Sequence, residues 1–286
     1  MQQVLLNGVV LAVNYALIAL GITLIFSIMN ILNFAHGQMF MIGGFVVYYF
    51  YGLFGVNYFA GLVAVVVVLG LVGWCFEAFF FRRMRKMATR EENAMLLAVG
   101  TALLLENLAL TFFGEKQRGV PPVVSGVFRI GDAFLPAGRL LVMVLALVLI
   151  IGLLLFVQYT KLGRALRALA QDREVTYLMG VNVDRVAALG FALGAALAGL
   201  AGGLLITVFG INSGVGTVYS IKAFIMIMIG GAGIVPGAIL GAVVLGFAEA
   251  IGYALLPGSI TYLLIFVGLI VFLLFRPQGL MGKPWG

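Results

Sequence analysis

Few residues in this chain could do chemistry. Among 286 residues there are 10 Asp or Glu, 17 Lys or Arg, one His and one Cys. A zinc site draws on several Cys, His or carboxylate ligands. With only His36 and Cys75, a Cys/His metal site is excluded, and so is an intrachain disulfide. Asp132, Asp172 and Asp184 all fall in hydrophilic segments, which removes an aspartyl dyad buried in apolar sequence. A Ser/His dyad would have to use His36, and no Gly-x-Ser-Gly pattern flanks a serine, so no catalytic residue is assigned. No G-x-x-x-x-G-K-[ST] segment occurs, so the chain has no P-loop of its own with which to bind and hydrolyse ATP.

What remains is a set of polar residues set in apolar sequence. Asn30, Asn33, His36 and Gln38 form a polar stretch between two apolar runs. Non-helical backbone at membrane depth is tolerated only where protein or water covers it. The stretch is therefore either an ordinary cytoplasmic turn or a broken helix lining a solute path. Lys222, Glu106 and Glu249 each interrupt an apolar run. A lysine at the centre of a membrane helix costs about 2.5–3.5 kcal/mol, so it is expected to pair, snorkel or face water. Glu106 and Glu249 are the available partners, whereas Glu77, close to Arg82, reads as interfacial. Asn33, His36, Gln38, Lys222, Glu249 and Glu106 thus form the candidate translocation pathway, with an interhelical ion pair as the alternative for the Lys/Glu set.

The elements that must position these residues follow from composition. The chain is 64% hydrophobic and 9% charged with mean hydropathy +1.20, against roughly 45–50% apolar and 25% charged in soluble domains. A core of this chain length cannot hide that surplus, so it faces lipid. Nine apolar runs approach the length of a span, at about 4–28, 38–54, 58–81, 94–113, 140–159, 186–209, 221–235, 237–256 and 260–275. Basic residues cluster at 82–90, at 161–185 and in the tail at Arg276 and Lys283, which places these three segments in the cytoplasm and the 114–139 loop outside. Nine crossings then put the N-terminus outside and the C-terminus inside. The N-terminal MQQVLLNGVV lacks a basic n-region and reads as a first span, not a cleaved signal. The pI near 9.7 is accounted for by this topology, so nucleic acid is not expected as a partner.

An internal similarity adds architecture. HGQMFMIGGF at 36–45 and KAFIMIMIGGAG at 222–233 share a basic or titratable start, a Met/Phe/Ile run and a Gly-Gly pair, offset by 187 positions. The offset also superposes the flanking runs, and the units begin on opposite sides, which is an inverted repeat of the kind transporters use. The expected fold is all-α and membrane-integral, with eight or nine transmembrane helices, some of them discontinuous. It forms one domain over 1–286: repeat 1 over 4–81, connecting spans over 94–159, a cytoplasmic coupling loop over 160–185 and repeat 2 over 186–275. Gly199, Gly202, Gly203, Gly233, Gly237 and Gly241 are expected to let helices approach closely.

Residues 162–186, LGRALRALAQDREVTYLMGVNVDRV, carry charges together with Leu166, Leu169, Val175, Leu178 and Met179 at helical spacing. Such an amphipathic helix can lie on a membrane or dock into a partner's groove. The run from Arg167 through Ala168, Ala170 and Asp172 to Gly180 resembles the cytoplasmic coupling loop of ABC importer permeases. With Asn33-Phe34-Ala35-His36-Gly37 and Arg276-Pro277-Gln278-Gly279-Leu280, the chain is similar to the LivH-type permeases of branched-chain amino acid importers. Gln171 and Thr176 depart from that pattern, where Glu and Ala are common. The resemblance implies a multi-pass bacterial inner-membrane permease with no cofactor of its own, ATP being hydrolysed by partner subunits. It implies a homologous second permease, two ABC ATPases and an extracytoplasmic solute-binding protein as partners, and Arg164, Arg167, Ala170, Asp172 and Gly180 as ATPase-coupling residues. A urea or short-chain amide permease and a passive channel are the competing readings.

Overall fold

The computed structural model describes residues 1–87 and 92–282; Arg90 and Glu91 of the first basic cluster and Lys283 of the tail lie outside the described residues. Twelve α-helices carry the fold: α1 Gln2–Met29, α2 His36–Val47, α3 Tyr58–Cys75, α4 Arg82–Met87, α5 Glu92–Phe113, α6 Ala137–Tyr159, α7 Lys161–Gln171, α8 Arg173–Leu178, α9 Val183–Phe209, α10 Val215–Gly230, α11 Val235–Leu255 and α12 Gly258–Phe275. π-helical turns at Tyr48–Leu53 and Phe76–Phe81 prolong α2 and α3. One antiparallel hairpin, β1 Val127–Ile130 with β2 Ala133–Pro136, decorates the 114–139 loop.

Among the described residues, seven helices are long and apolar enough to cross a membrane by themselves. The expected runs at 38–54 and 221–235 are the exceptions. The first is α2, with 12 residues before its π turn, and the second is α10, with 16 residues spanning 215–230. Sixteen residues rise about 24 Å, short of a hydrocarbon layer about 30 Å thick. The apolar counts were similar to those of full spans, but Gly210–Gly214 and Gly231–Ile234 leave the helix on either side of α10.

α1 and α9 form the centre. Their most apolar windows are 78% buried within the protein, against 6% for α12, whose surface is left to lipid. α1 lies along α11, α9 lies along both α2 and α3, α1 crosses α9, and α2 meets α10. Small residues make these approaches possible, as they must where lipid offers no hydrophobic drive between helices. A Cβ on Gly43 would lie 2.1 Å from the Gly199 carbonyl oxygen, one on Gly202 1.9 Å from that of Phe40, and one on Gly241 1.9 Å from that of Met226.

The two ends of the bundle agree with the charge reading. At one end, the Gln2 and Gln3 side-chain oxygens accept hydrogen bonds from the Asp132 and Phe134 amides of the hairpin, at 3.0 and 2.8 Å. The N-terminus therefore shares a side with the 114–139 loop. At the other end the tail folds back on α10, where the Leu280 and Met281 amides donate to the Ile229 and Gly230 carbonyls at 2.8 and 3.0 Å. These carbonyls end a helix and lack intrahelical partners, so the Arg276–Leu280 motif is a cap for α10. Gly279 is required there twice over: its φ is +78°, and a Cβ would meet the Gly231 nitrogen at 2.6 Å.

The packing sets a test. Gly202→Val should cost at least about 1–3 kcal/mol through overpacking and should lower the melting temperature in detergent or abolish monodisperse protein. Gly152→Val, with nothing within 4 Å of its Cβ, should leave both unchanged. Equal tolerance of the two would contradict the α2–α9 contact.

Candidate functional site

The polar stretch after α1 is a re-entrant turn. α1 stops at Asn30, whose left-handed φ of 55° ends the helix. Residues 30–35 are non-helical, and His36 then opens α2 with its Nε2 3.2 Å from the Ile18 carbonyl. Ile18 lies about three turns before the end of α1, so the chain climbs back roughly 16 Å. α2 thus begins in the bundle's interior. Backbone here has no water to bond, and each orphan would cost several kcal/mol. The bonds come from the protein. The Asn33 side chain accepts from the Ala35 amide at 3.1 Å. The Ser220 hydroxyl of α10 accepts from the Gly37 amide and donates to the Phe34 carbonyl, both at 2.9 Å. Gly37 permits this contact, since a Cβ would fall 1.9 Å from the Gly216 carbonyl oxygen.

The six pathway candidates do not form one line. Gln38, the third residue of α2, reaches Glu106 of α5 and Thr217 of α10: its amide donates to Glu106 at 3.2 Å and to Thr217 at 3.3 Å, and Thr217 donates to Glu106 at 2.6 Å. Glu106 is half-buried and Thr217 exposed, so this cluster stands on the flank of the bundle. Lys222 points to the opposite face of α10. Its ammonium lies 2.9 and 3.0 Å from the two Glu249 oxygens and 2.7 Å from the Tyr15 hydroxyl, which itself donates to Glu249. The rings of Tyr15, Tyr219 and Tyr262 surround it at 4.9, 5.3 and 5.2 Å, within cation–π range. Of the two acids expected as partners for Lys222, Glu249 is the one and Glu106 is not. α10 runs unbroken through Lys222, and the helix breaks fall on either side of it at 210–214 and 231–234. A cavity of ≈ 540 Å³, bordered by Asn7, Arg139 and Tyr253, opens above this triad toward the hairpin end. Asn33 and His36 belong to neither cluster and sit at the joint.

The coupling segment is two helices, not one. Asp172 is extended, and its carboxylate accepts from the Glu174 and Val175 amides at 2.8 and 2.9 Å, ending α7 and capping α8. The five apolar residues read as one stripe therefore separate: Leu166 and Leu169 are buried under α7, while Val175, Leu178 and Met179 face out. Tyr177, Leu178 and Met179 are 70%, 80% and 79% exposed at the basic end of the bundle, where Gly180 at φ +81° turns the chain back. Arg164 and Arg167 turn toward α6, donating to the Tyr159 and Gln158 carbonyls at 3.4 and 3.3 Å, and Ala170 is exposed beside them. Behind α8, Arg173 and Arg82 both pair with Asp184, at 3.7 and 3.8 Å, and Arg82 reaches the buried Glu77 at 3.3 Å. Glu77 is thus buried and paired with Arg82.

Sequence reading overlooked Tyr15, Thr217 and Ser220. Ser220 stands 187 positions after Asn33, the offset already visible, and Thr217 and Ser220 are the polar pair at helical spacing in an apolar run. Tyr15 gives no signal among many aromatic residues.

Removing one partner of the buried pair leaves an uncompensated charge. Lys222→Met should destabilise the protein by about 3–5 kcal/mol, and Lys222→Met/Glu249→Met should recover most of it. Thermal unfolding in detergent checks this; a double variant no better than the single would contradict the pair as drawn.

The comparisons agree with this architecture. Residues 4–274 match the family described as branched-chain amino acid transport system, permease component. The chain is 34% identical to BraD of Pseudomonas aeruginosa, a high-affinity branched-chain amino acid transport system permease protein, covering 99% of this chain and 96% of that one. It is 33% identical to LivH of Escherichia coli K12 over the same shares, and 28% identical to a probable LivH of Methanocaldococcus jannaschii over 99% and 94%. No solved structure matches it. The chain is a multi-pass membrane transport component and belongs to the LivH-type permease family of branched-chain amino acid transport systems.

Proposed function

We propose that this chain is the permease subunit of an ATP-driven importer for branched-chain or related apolar amino acids in a bacterial inner membrane. ATP is hydrolysed by two separate ATPase subunits, a homologous permease completes the membrane part, and an extracytoplasmic binding protein delivers the solute. The observation that carries this reading is the bare apolar end of α8, Val175, Tyr177, Leu178 and Met179, at the basic end of the bundle. Apolar side chains crowded at a loop tip mark an interaction site. A passive channel has no use for such a surface, and the urea or short-chain amide reading draws no support from the relatives, which are named for branched-chain amino acids.

Within this reading the solute passes along the Gln38–Glu106–Thr217 wall. A carboxylate on the flank of a membrane helix is too costly to leave against lipid, so it faces a water-filled path or the second permease. The reciprocal packing of α1 on α11 and α9 on α3, with α2 against α10, supports an inverted pair of three-helix units with this wall at their joint.

Two substitutions test the proposal in the assembled transporter. Leu178→Glu should abolish uptake and solute-stimulated ATP hydrolysis together, while the chain still inserts, because burying such a side chain contributes about 1.5–3 kcal/mol to the contact. Glu106→Gln should cut uptake roughly tenfold or more with the ATPases still bound. Normal uptake in proteoliposomes by Leu178→Glu would defeat the coupling assignment, and normal uptake by Glu106→Gln the path assignment.

A further inference from the structure

α7 carries a feature distinct from the exposed apolar end of α8 on which the coupling reading rests. Its apolar side is spent on the protein, where Leu166 packs beneath Gly190 and Leu169 is buried. The other side exposes Lys161, Arg164 and Arg167, with no acidic residue anywhere in 161–171 and no ion-pair partner for these three among the described residues. Each arginine has five N–H donors in a fixed fork. One donor on each goes to the last carbonyls of α6, at Tyr159 and Gln158, which tethers both guanidinium groups at the level where α6 leaves the hydrocarbon. That is the depth of lipid phosphates on the side the basic clusters assign to the cytoplasm.

Beside these groups a cavity of ≈ 300 Å³ opens between α1 and α6. Arg167 and Gln171 stand at its rim, α6 walls it with Leu153, Leu154 and Val157, and α1 and the turn before α11 close it with Leu24 and Gly233. A cationic rim over an apolar slot at a membrane interface has the polarity of a diacyl phospholipid, with phosphate above and chain below. Basic pockets between helices on the cytoplasmic side are where anionic headgroups settle. We infer that Lys161, Arg164, Arg167 and the α1–α6 slot form a site for an anionic phospholipid of the cytoplasmic leaflet. Arg164 and Arg167 bind its phosphate with the donors α6 leaves over, and one acyl chain enters the slot. Only Asp172 separates α7 from α8, so lipid held at α7 also fixes the base of the coupling element.

The test uses the assembled transporter in nanodiscs of phosphatidylcholine with and without phosphatidylglycerol. Phosphatidylglycerol retention is read by native mass spectrometry, and ATP hydrolysis in both lipids. The wild type should retain the anionic lipid and hydrolyse ATP several-fold faster in its presence. Lys161→Gln/Arg164→Gln/Arg167→Gln should weaken retention roughly tenfold or more and erase the lipid dependence. Leu154→Trp, which fills the slot and leaves the cations in place, should do the same and serves if the triple variant fails to assemble. Wild-type retention by both variants would overturn the site. So would an activity loss equal in both lipids, since that is what a helix cap or a coupling contact alone would give.

Discussion

Hydrocarbon offers no hydrogen bond, and the structure turns on how one unwound segment lives with that. Residues 30–35 leave the helix at the exposed Asn30 and lead back into the bundle, where a single hydroxyl, that of Ser220, both accepts from Gly37 and donates to Phe34. The contact fixes α2 against α10, and only a glycine at 37 lets the backbones come that near. The height at which α2 begins then decides where Gln38 stands, and through it where Glu106 and Thr217 meet. The polar wall is thus a consequence of where the chain is allowed to unwind. The Lys222–Glu249–Tyr15 triad, on the other face of α10, ties α10, α11 and α1 together with the charges mutually neutralised.

A second constraint operates at the basic end. A helix continued through Asp172 would have set Val175, Leu178 and Met179 on the side opposite Leu166 and Leu169 of one rod. The Asp172 cap instead divides the segment into a half that holds to the bundle and a half that reaches outward. Movement imposed on α8 has a defined route inward, from Arg173 to Asp184 at the start of α9, and from Asp184 through Arg82 to the buried Glu77 at the end of α3. Since α9 is central and packs on both α2 and α3, the exposed end of α8 is joined to the helices at the centre of the bundle.

The amino-acid sequence displayed much of this and concealed the rest for physical reasons. Membrane class was legible because burying charge in lipid is so costly that few charges remain and their positions carry information. The turn at Asn33 was legible because Asn and Gly interrupt an apolar run. Span count was less so: composition reports that a segment is apolar, not that it crosses, and α2 and α10 are as apolar as full spans while being shorter. The grouping of the site residues could not be read, because which face of α10 bears Lys222 and which bears Thr217 matters only once α2, α5 and α11 have been placed around it. The single helix read through 162–186 divides because Asp172 caps a new helix instead of continuing the old one.

The central claim is that the Gln38–Glu106–Thr217 wall is wet and carries the solute. Thr217→Cys, in the assembled transporter with Cys75 replaced by Ser so that this chain has no other thiol, places one reactive group on that wall, and labelling is read on this chain alone. Its reaction rate with a charged, membrane-impermeant thiol reagent, with and without saturating branched-chain amino acid and binding protein, measures the claim. Rapid modification that slows in the presence of solute is the predicted result. Modification by a lipid-soluble maleimide alone, unaffected by solute, would show that this face meets lipid and contradict the account.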